Sequence, residues 1–347
     1  MKEDKQNPEF TVIGENIHTT RVLLRKGKRI VARPDGTEAV CYPGEKGETW
    51  YLSIPEEVKA TQDYEEGRVK HVMVAIRSAM AGNSDSKEGH DYLRHLVERQ
   101  QSAGVHFLDL NVDEVSLKLE EQKAAMRWLV ETIQRMSSVP VSIDSSNIEI
   151  IETGLEACRG DAGRNLLNSA SLERLDALDL AKRYDTKVII TAAGEKGMPQ
   201  NEEERLENTS RMIEASLARG IALKDIFVDI LVFPISVDGQ FGNHSLETIR
   251  QLRTRYGSDI HITGGLSNVS FGLPCRRLIN NVFILLALEA GADSGIIDPV
   301  ASNLEKIIVM DRSSKPVELA EQLLLGNDLH CKNFLRAFRK GELQTET

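Results

Sequence analysis

The feature that most limits how this chain can fold is a rhythm. From about Val105 onward, short apolar runs alternate with longer amphipathic stretches. The runs suit buried strands and the stretches carry helical spacing, so the alternation predicts βα units around a parallel sheet. The strand-like runs are HFLDLNV (106–112), PVSID (140–144), RNLLNS (164–169), KVIITA (187–192), IFVDIL (226–231), DIHITG (259–264) and SGIID (294–298), and FTVIGE (10–15) brings them to eight. Between them lie patterns such as EEQKAAMRWLVETIQRM, with Ala124, Trp128, Leu129, Val130 and Ile133 as its apolar stripe. Another, ERLENTSRMIEASLARG, is closed by a glycine, as helix ends prefer. Eight such units predict an α/β chain folded as a (β/α)8 TIM barrel, a single domain over residues 1–347.

Two segments depart from the rhythm. Residues 21–66 form an insertion after the first strand, in which RIVARPDGTEAVCY reads as a hairpin turned at Pro34, Asp35 and Gly36. It is either a passive loop or a lid or partner surface at the barrel mouth. After Pro299 a tail of about 300–347 carries helical pieces at 317–325 and 331–339 that would close the eighth unit.

Composition narrows the function. With 41% hydrophobic and 28% charged residues the chain can bury a large core. A formal charge of -10 and a pI near 5.4 lack the basic footprint that nucleic acid or an anionic membrane requires. The longest uncharged apolar run, 282–288, falls far short of the roughly 18 residues of a spanning helix. The N-terminal MKEDKQNPEF has no apolar signal core, so a soluble cytoplasmic protein is expected. Cys41, Cys158, Cys275 and Cys331 form no CxxC pair and the eight histidines no HExxH, which predicts free thiols and no protein-ligated metal. A metal reading would join Asp109, Asp144 and Asp229 as oxygen ligands, but their spacing is not compact.

In such a barrel the ligand meets the carboxyl ends of the strands. There the chain offers Gly14, Glu15 and Asn16; Asp109 and Asn111; Asp144, Ser145, Ser146 and Asn147; Asn168 and Ser169; Asp229; Ser267 and Asn268; and Asp298. This rim is read as holding carboxylates and amides without histidine, lysine or arginine, which suits a neutral planar ligand rich in donors and acceptors. A phosphorylated sugar would ask for an anion nest or a fixed cation. Asp109 is open to a rim-structure reading, Asp144 to helix capping and Asn168 to turn chemistry. Asp229 lies in an almost wholly apolar strand, where an unpaired carboxylate is costly, so a hydrogen bond to ligand is expected.

The pieces VIGEN (12–16), LDLNV (108–112), IDSSN (143–147), LLNSAS (166–171), VDILVFP (228–234), GLSNVSFG (265–272) and RRLIN (276–280), in this order, resemble the pterin-binding methyltransferases. These are the methyltetrahydrofolate:corrinoid protein methyltransferases, the folate module of cobalamin-dependent methionine synthase, and the tetrahydrofolate-methylating components of anaerobic O-demethylase systems. The resemblance implies a pterin deep in the barrel, with Asp144, Asn168 and Asp229 on its donor edge, Asn111 nearby, and Glu15 and Ser267 completing the folate-binding set. It places Asn268 on N5, the nitrogen that carries the methyl group. The substrates would be tetrahydrofolate or methyltetrahydrofolate and a corrinoid (cobalamin) carried on a partner protein, since no DxHxxG corrinoid motif occurs. A homodimer is common in the family. The chain departs from it in reading GENIHTT where GERIN is usual, and in the 21–66 insertion.

That reading gives methyl transfer between cobalt and N5, in the direction of methyltetrahydrofolate within an O-demethylase or related one-carbon system. No histidine or lysine is expected to supply the N5 proton, and Asn268 would stabilise the protonated N5. The alternatives are a dihydropteroate synthase-like enzyme, for which GGLSNVSFG lacks the lysine and arginine, and a non-catalytic folate-binding subunit.

Overall fold

The computed structural model describes residues 10–44, 46–82, 86–160 and 163–343; of the N-terminal MKEDKQNPEF, all but Phe10 lies outside the described residues. The fold is a (β/α)8 barrel. Its eight-stranded sheet is traced through two compact units, Gly14–Asn168 and Met1–Ile13 with Ser169–Thr347.

Strand β1 (Thr11–His18) leads into the Gly14–Asn168 unit. The insertion follows: β2 (Leu23–Leu24), β3 (Ile30–Ala32), β4 (Glu38–Pro43), β5 (Thr49–Ser53), the one-turn helices α1 (Glu56–Lys59) and α2 (Gln62–Glu65), and β6 (Arg68–Val69). The expected hairpin exists as antiparallel β3 and β4, turned where Gly36 takes φ +84, and β5 adds a third strand that the sequence reading did not include. Pairing of Leu23 with Val69 closes the insertion, three residues beyond the expected boundary. Then come α3 (His71–Met80), α4 (Ser86–Ser102), β7 (Phe107–Asn111), α5 (Leu119–Met136), β8 (Val141–Asp144), α6 (Ile148–Ala157) and β9 (Leu166–Ala170). In α5 the buried apolar face is Ala125, Met126, Leu129, Val130 and Ile133, whereas Ala124 is exposed and Trp128 half-buried. The packed stripe is thus turned one residue from the one expected.

The second unit carries α7 (Asp176–Arg183), β10 (Lys187–Thr191), α8 (Glu202–Ala218), β11 (Ile226–Asp229), α9 (Phe241–Tyr256), β12 (His261–Thr263), α10 (Arg276–Ala290), β13 (Ser294–Ile297), α11 (Leu304–Ile308), α12 (Lys315–Leu324) and α13 (Lys332–Arg339). The sheet order is β12-β11-β10-β9-β8-β7-β1-β13. Its two ends meet within this unit, where Gly265 bridges Ile296 in parallel and Ile296 N donates to Gly264 O at 2.9 Å. All seven later strands fall inside the expected runs or within a residue of them, and β1 runs three residues past its expected end. The four cysteines are free, and no helix of the described residues is long and apolar enough to cross a membrane.

Candidate functional site

In the Gly14–Asn168 unit, strand alternation puts Asp109 and Asn111 on one face of β7. Parallel register then sets Asn111 beside Asp144 and Asp144 beside Asn168. Ile143, on the opposite face of β8, packs on α6 at Gly154, where an added Cβ would come within 2.6 Å of its Cγ2. Three adjacent strands therefore deliver three polar groups at one level.

Those groups are wired together. Asn111 donates its amide to Asp144 Oδ2 at 2.9 Å, while its Oδ1 accepts from Thr19 Oγ1 and from Asp113 N, both at 3.1 Å. Asn168 donates its NH2 to both oxygens of Asp109, at 3.3 and 3.4 Å. Asp109 is fully buried and holds His18 Nε2 at 2.8 Å. The expectation of a rim without a basic side chain is corrected here. The polar pair Glu15 and Asn16 reads like the end of a strand, but β1 continues, with Ile17 buried in the core and His18 reaching Asp109. Burial pulls the imidazole down, but the charge and hydrogen bond of Asp109, with Asp144 and Glu15 adding, outweigh it and carry its pKa up to about 9. His18 is thus an imidazolium at neutral pH. Burial first, and repulsion from Asp109 second, push the Asp144 carboxyl up.

The capping reading of Asp144 fails for a local reason. Asn147 caps α6, accepting from Glu149 N at 2.8 Å, and Ser145 and Ser146 donate their hydroxyls to Asp113 at 2.5 and 2.9 Å. Asp113, which the sequence reading did not single out, locks this loop and leaves Asp144 to other partners. Glu15 pairs with Arg21 at 3.0 Å. His18, Asp109 and Asp144 offer ligand atoms within 4.8 Å of one another, a grouping different from Asp109, Asp144 and Asp229. Within that grouping His18 and Asp109 are hydrogen-bonded to each other, and Asp144 accepts from Asn111.

In the second unit a cavity of about 340 Å³ is lined by Asp229, Leu231, Phe233, Asn268, Phe271 and Met198 among others. Asp229 ends β11, and its Oδ1 accepts from Leu231 N at 2.8 Å. Enclosure pushes this carboxyl up to about 6, against that hydrogen bond. Asn268 stands in a short 3-10 helix, Leu266–Ser270. The second glycine of GGLSN makes room for it: a Cβ on Gly265 would lie 2.8 Å from Asn268 Nδ2. Arg276 braces this loop by donating to Ser270 Oγ and Ser267 O, both at 3.0 Å, with its guanidinium 4.3 Å from the centre of the Phe271 ring. Ile235 N donates to Val269 O at 3.1 Å, joining the Asp229 and Asn268 loops. Asp298 instead closes its own turn, accepting from Val300 N and Ala301 N at 3.1 Å.

A barrel whose strand ends present buried carboxylates and amides defines a class of enzyme, and comparison with known proteins supplies the family. The model of the pterin binding enzymes matches residues 80–298, and the chain belongs to that family. A methylcorrinoid:tetrahydrofolate methyltransferase of Eubacterium limosum is 29% identical over 261 residues, 73% of this chain and 89% of that protein. Methionine synthase of Mycobacterium leprae is 28% identical over 309 residues, 83% of this chain, which spans only 25% of that protein's length. Among solved structures, dihydropteroate synthase from Xanthomonas albilineans in complex with 7,8-dihydropteroate aligns with a TM-score of 0.52 at 18% identity, over 64% of this chain and 84% of that one. The likeness is one of fold.

Proposed function

We propose that this chain transfers a methyl group between the cobalt of a corrinoid carried by a separate protein and N5 of tetrahydrofolate, with Asn268 addressing N5. The observation that carries the reading is the cavity in which the Asn268 amide and the Asp229 carboxylate occur with Phe233, Phe271 and Met198. Apolar and aromatic walls suit a flat heterocycle, and two polar groups suffice to orient it. Among the described residues none that lines this cavity is cationic, which favours methyl transfer over the diphosphate chemistry of a dihydropteroate synthase. The name and the 29% identity of the E. limosum relative point the same way.

The folate needs acceptors for the N-H groups of its pterin edge. Asn168, whose NH2 is committed to Asp109, presents Oδ1 as an acceptor, and Asp144 keeps one oxygen beyond the bond from Asn111. In this reading Asn111 and His18 are supports, holding Asp144 and Asp109, and Glu15 and Ser267 lie at the edge of the folate-binding set. A hydrogen bond to an ionised carboxylate contributes roughly 1.5 to 3 kcal/mol and one to a neutral amide about 0.5 to 1.5 kcal/mol, so the set together selects a pterin.

In the folate-methylating direction, the N5 lone pair attacks the methyl carbon, the cobalt-carbon electron pair stays with cobalt, and the resulting N5 ammonium loses its proton. The Asn268 Oδ1 stabilises the N-H of that cation at the transition state. An O-demethylating corrinoid system is a fitting supplier of the methyl group. Incubating the protein with methylcobalamin and tetrahydrofolate, and following the corrinoid spectrum, tests the reading; an unchanged spectrum with folate bound would leave only a folate-binding role. Asn268→Ala is expected to bind tetrahydrofolate normally while kcat falls by about 100-fold, the cost of losing one preorganised transition-state contact.

A further inference from the structure

Arg205 has the bulkiest of the fully buried side chains, at 0% exposure. It lies in the first turns of α8, and its three hydrogen bonds all run to main-chain oxygens: Nε to Ile230 O at 3.0 Å, one terminal nitrogen to Asn201 O at 2.9 Å, and the other to Leu231 O at 3.3 Å. Its guanidinium lies 4.9 Å from the centre of the Phe233 ring. Among the described residues no carboxylate is bonded to it. A guanidinium taken out of water with no bonded counter-ion is a costly choice for a core, which an apolar side chain would fill more cheaply.

What the arginine grips explains the choice. Leu231 has φ +56, a left-handed conformation that a branched side chain rarely adopts and that persists only where its surroundings impose it. The carbonyls of Ile230 and Leu231 flank that residue, and both accept from Arg205. Ile230 O and Leu231 N share one peptide plane, so the bond from Arg205 Nε to that carbonyl sets the direction of the Leu231 N-H, which donates to Asp229 Oδ1 at 2.8 Å and leaves the other Asp229 oxygen for a ligand. Leu231 and Phe233 line the same cavity as Asp229, so the guanidinium fixes the carboxylate and two of the walls at once.

We propose that Arg205 is the positioning residue for the Asp229 loop: by clamping the two carbonyls around a left-handed Leu231 it sets the direction of the Asp229 carboxylate, and so the affinity of the cavity for its ligand. This rests on the reading of that cavity as the pterin pocket. Arg205 touches no substrate and acts through Asp229, so its loss weakens ligand binding and leaves the chemical step at Asn268 intact.

The test compares the full-length wild type with Arg205→Met, Arg205→Lys and the double variant Arg205→Met/Leu231→Gly, measuring tetrahydrofolate binding by calorimetry, KM and kcat for methyl transfer from methylcobalamin, and melting temperature. The Met variant is expected to fold, to bind tetrahydrofolate about tenfold more weakly with a matching rise in KM, and to keep kcat at saturation within about threefold. Arg205→Lys falls between, since an ammonium reaches fewer carbonyls at once. Leu231→Gly restores at least about threefold of the lost affinity, because glycine holds a positive φ without a clamp. A Met variant with wild-type affinity would overturn the clamp, as would one whose melting temperature, KM and kcat all collapse together with no recovery from lysine or glycine. Wild-type protein that binds no tetrahydrofolate would sink the pterin reading, and the clamp with it.

Discussion

At the scale of single residues, the acidic groups set the pH behaviour. Asp229 accepts from a pterin N-H most strongly when ionised, and in the free protein enclosure holds its carboxyl up at about 6. Asp144, which burial and Asp109 also hold up, titrates in the same region, so tetrahydrofolate affinity is expected to weaken as pH falls from 8 to 5, by up to about tenfold per unit for each carboxyl; calorimetric titrations over that range check this, and Asp229→Asn should make the profile shallower. His18 works in the opposite sense. Its folded pKa of about 9 lies above the ordinary 6.5, so its stabilising contribution is complete below the ordinary value and is lost as pH rises through about 9. Wild-type melting temperature should fall across that window, and His18→Gln should melt lower at neutral pH and lose less on the way up. His18 was not legible because two polar residues before it mimic a strand end, whereas Asp144 and Asp229 were legible as acids closing apolar runs.

At the scale of elements, the Asn268 loop was nearly complete in the sequence. GLSNVSFG is among the pieces that carry the family resemblance, and the structure adds why Gly265 stands where it does. Gly265→Ala would put a methyl 2.8 Å from Asn268 Nδ2, and the end of an asparagine side chain yields more readily than backbone. The variant is expected to fold and bind tetrahydrofolate, and to lose kcat by about tenfold through a displaced amide, a split that steady-state kinetics would show. A fall in melting temperature without the kinetic split would mean that backbone had moved instead. The clamp on the Asp229 loop had no such signal. An arginine in a charged helical stretch such as EEERLENTSRM reads as surface, since arginine is seldom fully buried, and only the carbonyls of a loop 25 residues away reveal its role.

At the scale of the whole chain, the fold was readable because parallel strands buried on both faces appear as short apolar runs, and eight of them recur between helical patterns. The third strand of the insertion was not, because Thr49–Ser53 is only partly buried and lacks a clean alternation. The structure also decides how that insertion is held. Glu88 of α4 accepts from Arg33 and from Ser53 N, both at 2.8 Å, Arg29 donates to the buried Tyr92 hydroxyl at 2.7 Å, and Tyr42 meets the Tyr92 ring edge-on at 4.8 Å. Glu88→Ala, which leaves Arg33 with one bond fewer, should lower the melting temperature in proportion to about 1 to 3 kcal/mol. The insertion is thus stitched to α4 along its length, while its tip, Pro34, Asp35, Gly36 and Thr37, is exposed. That tip is a natural handle: a dye or affinity peptide grafted there would touch none of the bonds to α4, and would register the arrival of a large partner on that side.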